Sequence, residues 1–162
     1  MFDTRAETID FLDAAPLRLA HTATTRAPAK DVFEALSADV STWGNWIDAV
    51  TRGEYGGEGP YGVGTRRRVI LTGGVAFHET VIAWDDPTRY AYRIDRTTVP
   101  GIRAQVEEWT LVETSAGTRV RWTMGVDAAL PLRLALRASA PGVGLAFKRA
   151  VSLLDRQLTA RD

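Results

Sequence analysis

The stretch EEWTLVETSAGTRVRW, Glu107 to Trp122, decides how this chain folds. Apolar and polar side chains alternate on both sides of Ser115-Ala116-Gly117, the pattern of two half-buried strands joined by a tight turn. If the turn sets Leu111 against Val120, then Trp109 meets Trp122, Glu107 meets Met124 and Gln105 meets Val126 on one face. Val112 with Arg119, Thr110 with Arg121 and Glu108 with Thr123 take the other face. The first face carries the rings and is the one expected to be buried. Glu107 and Gln105 then point inward, where a carboxylate needs partners.

Period-two alternation extends outward from this hairpin. Residues 65–71, 74–85, 89–97, 103–114 and 118–127 read as strands, with Gly73-Gly74, Asp85-Asp86-Pro87-Thr88 and Ser115-Ala116-Gly117 as turns. Around Asp86-Pro87 the same arithmetic opposes Trp84 to Tyr90, Ile82 to Tyr92, Thr80 to Ile94 and His78 to Arg96 on the inward face. It sends Glu79, Val81, Ala83, Arg93 and Asp95 outward. Residues 17–26 form an earlier strand on which His21 shares a face with Leu17, Leu19 and Ala23.

Two short helices follow that strand. APAKDVFEALS, Ala27 to Ser37, has Pro28 in its first turn and Val32, Phe33 and Leu36 at helical spacing. Ser41 caps a second, around Trp43, Trp46 and Ile47. A glycine-rich loop is expected from Gly53 to Gly64. At the other end PLRLALRAS, 131–139, precedes Pro141-Gly142, and residues 143–159 set Val143, Phe147, Val151, Leu154 and Leu158 on one helical face. PLRLALRAS has two readings, packing under the last helix or touching a membrane surface as a cover over a pocket entrance. Residues 1–14 are an N-terminal extension with a short amphipathic helix at 4–13.

Composition bounds the function. The 162 residues, 45% of them hydrophobic and five of them tryptophan, suit a single domain (1–162) with a core. Twenty basic residues balance twenty acidic ones, so no overall charge draws the chain to nucleic acid. The absence of cysteine removes disulfides, thiolate zinc sites and cysteine nucleophiles. Two histidines without a close-spaced partner argue against a metal site, and no motif calls for a cofactor. YGGEGPYGVGT, Tyr55 to Thr65, has neither P-loop nor dinucleotide spacing, and no serine sits in a nucleophile elbow. No run reaches the roughly 18 to 20 apolar residues that cross a bilayer, and no signal-like segment opens the chain; a cytoplasmic protein is expected. Arg66-Arg67-Arg68 alternates on its strand and reads as solvated or salt-bridged, with Arg67, beside Val69 and Leu71, the one placed to project inward.

Taken together, TTRAPAKDVFEALSADVSTWGNWIDAV, YGVGT, VIAWDDPTRYAY, EEWTLVETSAGTRVRW and the final helix resemble the START-like helix-grip superfamily, in its polyketide cyclase/dehydrase and lipid-transport branch, over about residues 17–158. The resemblance implies an α+β helix-grip fold: a curved antiparallel sheet of about seven strands wrapped around a long C-terminal helix, with a cavity between them. It implies no universal catalytic set, and Trp46, Gly64, Gly117 and Thr118 match structural positions of the family.

The inferred inward faces supply the candidate ligand-binding residues His21, His78, Trp84, Tyr90, Tyr92, Gln105, Glu107, Trp109, Trp122, Phe147 and Val151. His78, His21 and Glu107 are the candidates for proton transfer. Two functions stand side by side: binding or transport of a hydrophobic lipidic or aromatic molecule, or cyclase, aromatase or dehydratase chemistry using a pocket histidine. A third, accessory function through a protein partner has no motif to mark it. Ordinary core packing is the competing account of every ring in the set.

Overall fold

A computed structural model describes residues 1–160. The elements are β1 (Phe2–Asp3), α1 (Phe11–Ala14), β2 (Leu17–Thr25), α2 (Ala29–Ser37), a 3-10 helix (Val40–Asn45), β3 (Val50–Tyr55), β4 (Arg66–Leu71), β5 (Ala76–Asp85), β6 (Arg89–Thr97), β7 (Ile102–Thr114), β8 (Gly117–Ala128) and α3 (Leu130–Thr159). Seven strands pair in the order β2-β8-β7-β6-β5-β4-β3, and β1 adds two residues against β6. The result is the helix-grip architecture, a curled antiparallel sheet closed over by α3.

The β7/β8 hairpin has the expected register: Leu111 opposes Val120, Trp109 Trp122, Glu107 Met124 and Gln105 Val126. β2 continues that face, with His21 beside Trp122 and Ala23 beside Val120. Three glycines or prolines act differently from expectation. Gly53 lies inside strand β3, opposite Val69, rather than in a loop, and a Cβ there would come within 2.3 Å of the Val40 carbonyl oxygen. Only glycine lets the 3-10 helix approach so closely. Pro141-Gly142 does not divide the last helix; α3 runs through both, and both are exposed. The helix of the N-terminal extension is only Phe11–Ala14, where Phe11 and Leu12 pack with Ala104, Val106 and Ile82.

The β5/β6 hairpin corrects the facing of several residues. Trp84 opposes Tyr90 as expected, but Val81, not Ile82, opposes Tyr92, and Glu79, not Thr80, opposes Ile94. Ile82 is one extra residue on β5 and Asp95 one extra on β6, two bulges that shift the alternation and then restore it. Glu79 and Val81 therefore point inward and are buried, and Ile82 turns to the side where α1 packs. His78 still pairs with Arg96, yet both lie on the outer face, His78 between Arg68 of β4 and Arg96 of β6.

The turn into β8 depends on Gly117. Its φ is +133°, and a Cβ would sit 2.1 Å from the Thr25 carbonyl oxygen and 2.6 Å from the Arg26 Cα. The neighbouring Thr118 hydroxyl, fully buried, donates to the Ala27 carbonyl at 2.7 Å. We expect Gly117→Ala to cost about 2–3 kcal/mol in urea unfolding, through strain against backbone that cannot yield.

Candidate functional site

Between sheet and helix the side chains form a wall of rings threaded by two short polar chains. Trp109 is central, with ring centroids 6.1 Å from Trp43, 5.9 Å from Trp46, 6.1 Å from Trp122 and 5.8 Å from Phe147. Tyr90, Tyr92, Phe147 and Val151 are buried in the same cluster, and Trp84 reaches it half-buried, edge-on to Phe33. The interior is thus filled by packed rings. Two surface depressions lie elsewhere: a groove of about 420 Å³ lined by α2, the 3-10 helix and the end of α3, and one of about 330 Å³ beside Thr25, Lys148 and Asp155.

The first polar chain starts at Arg67, whose side chain is 0% exposed, facing Glu79 at 4%. Arg67 Nε donates to the Glu79 carboxylate and one terminal nitrogen donates to the Tyr90 hydroxyl at 3.0 Å. The other terminal nitrogen has no partner among the described residues. The guanidinium lies 3.6 Å from the ring centre of Tyr92 and 4.4 Å from that of Trp43, stacked as a cation on two π faces. Tyr55 and Tyr90 share a hydrogen bond of 2.8 Å, and Tyr55 also donates to the Ser37 carbonyl. Burial pushes the Glu79 carboxyl up, to about 7, while Arg67 pulls it back down.

The second chain centres on Glu107. Its carboxylate accepts from Gln105 Nε2 at 2.6 Å, the Tyr92 hydroxyl at 2.7 Å and Trp122 Nε1 at 3.1 Å. Trp109 Nε1 donates to the Tyr92 hydroxyl at 3.2 Å, so Tyr92 joins the two chains, its ring under Arg67 and its hydroxyl on Glu107. Three donors on one carboxylate meet the need for partners that its inward position creates.

His21 stands at the edge of this wall, under α3. It stacks on Trp122 with centroids 6.0 Å apart and lies 6.2 Å from Phe147. Gly144 lets the helix close over it: a Cβ there would be 3.0 Å from His21 Nδ1. His21 Nε2 is buried without a hydrogen-bond partner among the described residues. Burial, and then Lys148, lowers its pKa, so the imidazole is neutral at pH 7. As a neutral ring it can accept one proton or one hydrogen bond.

The structure therefore brings His21, Gln105, Glu107, Tyr92, Trp109, Trp122 and Phe147 together, and Tyr90, Trp84 and Val151 line the same interior further along. It does not bring His78 to them. Sequence reasoning missed Glu79 and Trp43 as interior partners of Arg67, Tyr55 as the partner of Tyr90, and Trp46 as a neighbour of Trp109. One signal was present: a hairpin centred on Gly73 sets Arg67 opposite Glu79, opposite charges on facing strands, which is the pairing observed.

Residues 16–159 match the family described as polyketide cyclase/dehydrase and lipid transport, and the chain belongs to that family. Uncharacterized proteins of Mycobacterium tuberculosis and Mycobacterium bovis are 31% identical over 153 residues, covering 94% of this chain and 91% of theirs. Among solved structures, the Zhui aromatase/cyclase from Streptomyces superposes with a TM-score of 0.71 at 22% identity, over 89% of this chain and 97% of that one. A Thermobifida fusca protein gives 0.69 at 22% identity, over 87% and 92%. A Mesorhizobium loti protein gives 0.67 at 20% identity, over 86% and 98%. At these identities the likeness is one of fold.

Proposed function

We propose that the chain binds a small, largely apolar molecule under the first half of α3, with His21 and Glu107 as the polar contacts that orient it. The observation that carries this reading is the uneven packing of α3. Its buried side chains begin at Phe147, and from Leu130 to Ala146 none is buried. Beneath that half lie Leu19, Trp122 and Met124, with Leu132 and Leu136 resting on them. Pro141 also removes one backbone donor from the middle of the helix. A ligand enters by displacing a helix half that little holds down, and meets an apolar floor with a few convergent polar groups.

Fluorescence titration with 1-aminoanthracene, an apolar ring system with one amine, tests this. We expect saturable binding, weakened at least about fivefold by Glu107→Gln through loss of a charged acceptor. Leu136→Trp, which sets a larger ring on the Met124 floor where the ligand would lie, abolishes it. Binding that survives both substitutions unchanged, or no binding by the wild-type chain, refutes the site.

A second reading is proton transfer during cyclisation or dehydration, supported by the neutral imidazole of His21 with its unpartnered nitrogen. There His21 takes the proton beside a carbonyl and returns it to the departing β-hydroxyl, so that the C–H and C–O bonds break, a C=C bond forms and water leaves. His21→Ala should then lower turnover of a β-hydroxy ketone by roughly 100-fold or more while ligand affinity changes little. Equal turnover by the variant removes the catalytic role.

A further inference from the structure

The exposed side of α3 carries an apolar stripe that the ligand reading does not use. Leu130, Leu134, Pro141 and Leu145 fall at i, i+4, i+11 and i+15, one line along the helix, roughly 22 Å from first to last at 1.5 Å per residue. Leu130 is 56% exposed, Leu134 55% and Leu145 70%, and Pro141 is exposed between them. Arg137, at i+7, lies along the edge of the stripe between Leu134 and Pro141, and Lys148, at i+18, continues it beyond Leu145; both are exposed. From residue 130 to residue 154 the chain has no carboxylate. The neighbouring acids are engaged: Asp48 with Arg149 at 2.5 Å and Asp155 with Arg26 at 2.7 Å.

Apolar side chains flanked by cations, with no acid on the same stretch, match an anionic lipid surface, where leucines enter the acyl boundary and cations meet phosphates. A second copy fits poorly: two-fold pairing of this face would bring Arg137 and Lys148 of both copies into one seam that holds no carboxylate from residue 130 to residue 154. No helix of the described residues is long and apolar enough to cross a membrane, so the contact is peripheral. We propose that this stripe seats the protein on anionic membrane, Leu130, Leu134 and Leu145 inserting and Arg137 and Lys148 lying at the headgroups. The assignment does not depend on what occupies the interior.

The test is co-sedimentation with large unilamellar vesicles of 70% phosphatidylcholine and 30% phosphatidylglycerol, and with phosphatidylcholine alone. The wild-type chain should pellet with the anionic vesicles, and less so as salt rises. Leu134→Ser with Leu145→Ser, and separately Arg137→Gln with Lys148→Gln, should each weaken partition roughly tenfold. All four side chains are exposed, and an unchanged circular dichroism spectrum shows that the fold is kept. The proposal is overturned if the wild-type chain stays in the supernatant, pellets equally with neutral vesicles, or is unaffected by both double substitutions. It is also overturned if sedimentation equilibrium finds a dimer that the serine pair dissolves.

Discussion

Arg67→Met should lower unfolding stability by about 3–5 kcal/mol, because it leaves Glu79 buried with no cation and the Tyr90 hydroxyl without its donor. Glu79→Leu should cost a similar amount, since the guanidinium then keeps its charge inside the sheet with neither a counter-ion nor an acceptor for its Nε. The double replacement Arg67→Met with Glu79→Leu should regain most of the loss, as a buried pair exchanged for packed apolar groups is often neutral. Urea unfolding of the two single variants and the double variant closes the cycle; additive losses would mean that the two residues do not act as a pair. The same pair sets a pH dependence. The folded-state pKa of Glu79, about 7, stands above its ordinary value of 4.5, so the fold favours the protonated carboxyl. That contribution is complete below about 4.5 and is lost as pH rises through about 7. Stability followed between pH 4.5 and 7.5 should fall along this window in the wild-type chain and lose that slope in Glu79→Gln.

Trp109→Ala should cost about 3–5 kcal/mol, the range for removing a large ring from a packed core. Four rings touch Trp109, and they cannot all collapse into the space because the 3-10 helix with the residue that follows it, β8 and α3 carry them. Its indole N–H is also the link to Tyr92, so the substitution leaves the Tyr92 hydroxyl one donor short. Trp109→Phe separates the two effects: it keeps most of the ring and removes the hydrogen bond, and should cost about 1–2 kcal/mol. Thermal or urea unfolding monitored by far-ultraviolet circular dichroism measures both. A loss below 1 kcal/mol for the alanine variant would show that the ring cluster does not hold sheet to helix.

The expected pairing on β7 and β8 matches the structure residue for residue, for a local reason. One turn at Ser115-Ala116-Gly117 fixes the register, and no bulge intervenes between it and Gln105. Gln105, Glu107, Trp109 and Trp122 could therefore be put on one face by counting, and His21 joins them because β2 alternates cleanly against β8. The neighbours His78 and Glu79 exchange their expected places for the opposite reason. Ile82 and Asp95 each add one residue to one strand, and nothing in an alternating run of apolar and polar letters marks an extra residue before the partner strand is known. The outer position of His78 removes one of the three proton-transfer candidates, and the inner position of Glu79 gives Arg67 its counter-ion.

By itself the sequence determined the order of elements apart from β1 and β3, the facing of the β7/β8 hairpin and the family, because turn chemistry and period-two alternation are local properties that a single chain displays. Only the tertiary structure decided which carboxylate meets Arg67, that rings fill the space under the sheet, and that α3 continues through Pro141. Each of these depends on bulges, on packing between strands distant in the chain, or on which side of a helix is left to solvent, and none of those quantities is a function of neighbouring residues alone.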